Sequence, residues 1–277
     1  MILTCLILAA VLLYTEERIT RFNLGTWFNG FGSLDSVCSG TSVQPMQYRV
    51  LIPWLYRYLP FPPSIYLYIF IKYLGMALAL YGIGVFSLTL GIPWQFSVFL
   101  LCVILPITFF FDYVDCYYEF AFFCLAWSLG QQHVSMLCVI ALLASLNRET
   151  GVFVPLGCYL LGLGAWQSIS VLICSLCGLA IPRLVYGKRP RYCSLSQVKE
   201  NIKVIKSGKC IVEYLWALAI FIAYGIVGII AHPSGGLMNL YWLMGVFGLL
   251  MLIPSRWNEV RVFVPMLAVL IPILWFI

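Results

Sequence analysis

Five polar groups interrupt an otherwise apolar chain, and their residue types could do chemistry together. They are Asp35 in a long polar stretch, Gln47-Tyr48-Arg49, Asp112 with Asp115, Asn147-Arg148-Glu149, and Asn258-Glu259-Val260-Arg261. Carboxylates beside arginines suit transfer from a phosphate-bearing donor. A carboxylate takes the acceptor proton as general base, while guanidinium forks hold the leaving phosphate and stabilise its growing charge. Asp35 is the candidate base, because a long loop can deliver it over a cavity. Arg49 and Arg148 are the phosphate candidates, with Tyr48, Glu149, Asn258, Glu259 and Arg261 as further substrate-binding groups. Asp112 and Asp115 offer oxygen to a divalent cation, although two carboxylates make only a partial site. Each cluster taken alone also reads as a local ion pair capping a short helix, Arg148 with Glu149 and Glu259 with Arg261. Ionisable groups at membrane depth are expensive and face a cavity or one another, so five clusters on one face point to a shared cavity.

The elements that must position these groups are helices in lipid. Of 277 residues, 63% are apolar and 9% charged, far below the roughly 25% charged residues of a soluble domain. A backbone in hydrocarbon satisfies its own hydrogen bonds only as helices or a closed barrel. Barrel strands alternate, whereas 96–111 (FSVFLLCVILPITFFF) is apolar on every side. The expectation is an all-α, polytopic integral membrane bundle of about ten helices, some short and paired, forming one transmembrane domain over 1–277. The excess of basic residues, +6 overall, speaks to anionic lipid and phosphate; no nucleic-acid signature is present. Seven of the cysteines lie in apolar runs, where cysteine packs as a small hydrophobe.

Along the chain, an uncleaved first helix over 1–14 leads into a polar loop at 15–48. A short amphipathic segment follows at 49–59, stopped by the Pro-Phe-Pro-Pro run. Helices are expected at 64–90 and 94–111, then a polar turn at 112–115. Residues 117–130 and 134–146 read as a hairpin of two short helices split by Gln131, Gln132 and His133. Further helices are expected at 152–165, 168–186, 211–231, 236–254 and 262–277. With the hairpin, alternate numbering of the faces gathers the charged residues at one face and leaves the other with two histidines. The basic loop at 187–210 carries a capping box, Ser194 to Gln197. Val198, Ile202 and Ile205 share a helical face beside Lys199, Lys203 and Lys206, the pattern of an interfacial helix on anionic lipid or of a solvated loop. The positive-inside rule puts the charged face in the cytoplasm.

Three phrases, 47–55 (QYRVLIPWL), 146–151 (LNRETG) and 258–267 (NEVRVFVPML), look like motifs of uncharacterised bacterial membrane proteins. That set is similar to the GT-C glycosyltransferases. The resemblance implies a long first external loop followed by short paired helices, a polyprenyl-phosphate sugar donor, a lipid or glycan acceptor, and a catalytic acid in the first loop. It also implies a bacterial inner membrane, and it puts the charged face outside, so the two orientations stay open. Asp35 matches the catalytic acid but lacks the adjacent acidic partner that many members carry.

Two other functions use the same residues. A transporter or flippase of a lipid-linked glycan needs the basic cavity and no base. The string at 16–21 (EERITR) resembles the EExxxR pattern of CAAX-type intramembrane proteases. Those also need a Phe-x-x-x-His, and His133 has no Phe four residues before it.

Overall fold

The computed structural model describes residues 1–20, 37–39, 41, 49–61, 64–107, 114–187, 202–203, 206, 211–231, 235–251 and 264–277. Among them the chain is helical and contains no strand. The helices are α1 (Ile2–Thr20), α2 (Leu51–Tyr58), α3 (Ile65–Thr89), α4 (Trp94–Ile107), α5 (Val114–Leu129), α6 (Val134–Asn147), α7 (Phe153–Leu160), α8 (Ala165–Tyr186), α9 (Ile211–Ile230), α10 (Gly236–Met251) and α11 (Val264–Ile273). Two of them, α3 and α8, are long and apolar enough to cross a membrane. The sequence suggested one domain over 1–277; the chain divides into two compact units, Met1–Tyr192 and Cys193–Ile277, within the basic 187–210 stretch.

In the first unit α3 packs along α5, α6 along α8, and α1 against α3. Ser64 caps α3 by accepting from the Leu67 N–H at 3.2 Å, which supplies one of the donors left over at a helix start. Leu59, just before Pro60, is extended and ends α2, as the steric demand of a following proline favours. A core of Ile52, Tyr56, Leu67, Tyr68, Ile71, Val114 and Tyr118 joins α2, α3 and α5. Within it the Tyr118 hydroxyl donates to the Ile71 carbonyl at 2.8 Å. Two buried hydroxyl pairs bridge helices, Ser87 with Ser97 and Ser145 with Ser175, each at 2.6 Å.

The expected hairpin is present. Between α5 and α6 lies a single 3-10 turn, Gly130–His133, opened by Gly130 at φ 58°, a left-handed conformation that glycine adopts without penalty. Asn147 at the end of α6 donates to the Asp115 carbonyl in the first turn of α5, at 2.7 Å, so the two helices run antiparallel.

The helix expected over 152–165 spans only Phe153–Leu160, and the next begins at Ala165 instead of 168; two further boundaries differ at charged residues. The first helix continues past residue 14 to Thr20, because Glu16 is buried against α3 and paired with Lys72 at 2.5 Å. Residues 112–115 were expected as a polar turn, yet α5 begins at Val114 and takes Asp115 into its first turn, where a carboxylate complements the helix dipole. The second unit holds α9, α10 and α11. Tyr224 and Tyr241 stack there with ring centroids 4.0 Å apart, and each hydroxyl donates to the other residue's main-chain carbonyl. Of the basic segment before α9, Ile202, Lys203 and Lys206 are helical and exposed.

Candidate functional site

The first unit gathers Arg49, Asp115, Glu119, Arg148 and Glu149 into one buried charge cluster. Three separate stretches supply it: Arg49, the start of α5, and the adjacent pair Arg148-Glu149. Arg49 stands just before α2, and the neighbouring Val50 N–H donates to the Leu146 carbonyl at 3.0 Å. That bond ties the approach to α2 onto the end of α6. Asp115 and Glu119 lie one turn apart on α5, on the same helix face. Arg148 is the extended residue that ends α6, and Glu149 opens the 3-10 turn Glu149–Val152.

The ion pairs cross over. Arg49 reaches Asp115 Oδ2 through Nη1 at 3.5 Å and Glu149 Oε2 through Nε at 3.4 Å. Arg148 reaches Glu119 Oε2 through Nη1 at 2.5 Å and Asp115 Oδ2 through Nε at 3.5 Å. The expected partnership of Arg148 with adjacent Glu149 is thus replaced by longer-range pairs. The cause is local: Arg148 has φ −153° and ψ 153°, and neighbouring side chains on extended backbone point to opposite sides. Burial disfavours the Arg148 charge, but the surrounding carboxylates, Glu119 first, push its guanidinium above its ordinary value. Arg148 also donates to Cys116 Sγ at 3.1 Å, and the Thr150 hydroxyl donates to Glu119.

Gly151 makes this packing possible. A Cβ there would stand 2.5 Å from the Ala144 carbonyl carbon, so the turn after Arg148 lies directly against α6. A second charged contact, Lys72 with Glu16, joins α3 to α1. His133 lies at the opposite end of α5 from Asp115, about 24 Å away along a 16-residue helix at 1.5 Å per residue. With Glu16 held by Lys72 and His133 at the far end, the geometry gives the protease pattern no support.

Of the residues singled out in the sequence, Arg49, Asp115, Arg148 and Glu149 come together. Asp35, Tyr48, Asp112, Asn258, Glu259 and Arg261 lie outside the described residues. The oxygen that Asp115 turns toward the cluster faces two guanidinium groups, a setting that does not suit a divalent cation. Among the described residues, no group of three or more His, Cys, Asp or Glu could hold a metal ion. Glu119 and Lys72 are the charged residues that sequence reasoning missed.

Comparison with protein-family models, curated proteins and solved structures finds no match to this chain.

Proposed function

We propose that the chain is an integral membrane protein crossing the bilayer several times, and that it transfers a sugar from a polyprenyl-phosphate donor to a lipid or glycan acceptor. The observation that carries the site is the buried cluster of two arginines and three carboxylates, assembled from three stretches at the ends of apolar helices. Such a concentration of charge is expensive to bury and is kept where it serves function.

Membrane insertion draws support from what the helices expose. Leu3, Ile7, Val11 and Tyr14 form an outward stripe on α1, and α8 turns out Ile169, Ile173 and Leu176, with Trp166 and Leu184 each 83% exposed. Water-soluble monomers rarely show apolar patches beyond a few hundred Å², whereas lipid welcomes them. Buried serine pairs between helices are a familiar adhesive in that solvent. The membrane is proposed to be a bacterial inner membrane, on the motif resemblance alone.

The transferase reading assigns the lipid-linked donor to this end of the first unit and the acceptor proton to Asp35. A strain lacking the gene should accumulate a sugar-lipid precursor, and purified protein should transfer its sugar in vitro. Asp35→Asn should abolish transfer without changing expression or stability in detergent. Full complementation by Asp35→Asn would remove the base assignment. A flippase is the second reading, favoured by one feature: Asp115, Glu119 and Glu149 are all engaged by arginines. Under it the precursor accumulates but no transfer occurs in vitro.

A further inference from the structure

Three buried acceptor atoms in the cluster, Asp115 Oδ1, Asn147 Oδ1 and Glu149 Oε1, have no hydrogen-bond partner among the described residues. As residues, Asp115 and Asn147 are each 1% exposed. Two of the side chains are held by one guanidinium, and the third is tied to the main chain of one of them. Arg49 holds the second oxygen of Asp115 and the second oxygen of Glu149. Asn147 is bound to Asp115 through its amide nitrogen, which donates to the Asp115 carbonyl. Flipping that amide would set oxygen against oxygen, so its Oδ1 stays an unmet acceptor. Buried acceptors in native proteins find donors, and whatever meets these three must bring hydrogens.

Charge narrows the choice. Among the described residues, Asp115, Glu119 and Glu149 outnumber Arg49 and Arg148 by one, and each arginine already faces two carboxylates. An anion placed against this side of the cluster meets surplus negative charge. A neutral, hydroxyl-rich ring meets three acceptors in want of donors. We propose that Asp115, Asn147 and Glu149 form the sugar subsite, accepting hydrogen bonds from ring hydroxyls, and that the donor phosphate lies elsewhere. The inference rests on the reading of the chain as a protein that handles a lipid-linked sugar.

The test uses the full chain in nanodiscs, with bare polyprenyl phosphate and a panel of polyprenyl-phosphoryl hexoses and pentoses as probes. In Glu149→Gln and Asp115→Asn the oxygen facing Arg49 remains an oxygen, so the new amide nitrogen falls where the unmet acceptor stood. Wild type should bind one sugar-bearing lipid more tightly than bare lipid phosphate. Each variant should cut that preference by about tenfold or more, as expected when a site built for hydroxyls loses an acceptor, with bare-lipid affinity unchanged. Should Asp115→Asn fail to fold, Glu149→Gln decides, since the Glu149 side chain is 31% exposed at the rim. A preference retained in Glu149→Gln, an equal loss for bare lipid, or loss of the preference on chelation with EDTA overturns the sugar subsite. A wild type with no preference for any sugar removes the lipid-linked-sugar reading itself, and the subsite with it.

Discussion

Arg148→Ala is the substitution whose cost follows most directly from the geometry. The Arg148 side chain is 7% exposed, and its partners Glu119 and Asp115 are 3% and 2% exposed. Asp115 keeps Arg49, but Glu119 loses the guanidinium 2.5 Å away and is left with the Thr150 hydroxyl. Removing one partner of a buried pair costs about 3–5 kcal/mol, because the other charge stays behind uncompensated. Removing both charges is far milder. Arg148→Met with Glu119→Leu fills similar space without charge, which is often neutral. Its main penalty is the lost acceptor for Thr150, about 1 kcal/mol. The double variant should therefore be more stable than Arg148→Ala by roughly 2 kcal/mol or more. Reversible unfolding in mixed detergent micelles, followed by tryptophan fluorescence, measures both. Arg148→Ala within about 1 kcal/mol of wild type, the range of exposed pairs, would mean the cluster is hydrated and the burial argument wrong. A double variant no better than the single would mean that the charges are not what matters.

Gly151→Ala should destabilise the same end of the unit by about 1–3 kcal/mol, the usual cost of overpacking, because its Cβ would meet the α6 backbone at 2.5 Å. Thermal unfolding in detergent measures it, and a neutral result would show that the turn can lift away from α6. Topology reporters placed after residues 61 and 149 should report one side of the membrane, and those after 91, 131 and 163 the other. Opposite sides for 61 and 149 would refute insertion of the hairpin as two crossings.

Much of the cluster was legible because charge stands out in an apolar chain. Arg49, Asp115, Arg148 and Glu149 each border a break between apolar runs, and such residues must be paired or functional. Their pairing was not legible. Adjacent Arg148 and Glu149 suggest a local pair, but their separation depends on one extended residue, which no spacing rule announces. Glu119 does not stand out in the sequence, because a helix beginning at 117 leaves it alone among aromatics. Begun at Val114, the helix puts Asp115 and Glu119 at i and i+4, a pairing of like charges that calls for a cation between them. Lys72 was hidden by the strength of the signal around it, a single lysine within the 25 residues of α3. Its partner is hidden for the opposite reason, since Glu16 follows the apolar run at 1–14 and reads as the start of a loop. Each miss explains the other, because the pair is what allows α1 to extend through Glu16.

For a chain inserted as proposed above, that pair also imposes an order of events during synthesis. Glu16 and Lys72 are 56 positions apart, so the ribosome has produced α1 well before the partner of its buried carboxylate exists. In a bilayer, α1 released at once would carry an unmatched acid toward hydrocarbon, at several kcal/mol. The first helix is therefore expected to linger in the protein-lined exit of the insertion machinery until α3 arrives, and to leave with it as a pair. Charge here acts as a timer: one lysine early in α3 sets the moment at which α1 is free to enter lipid.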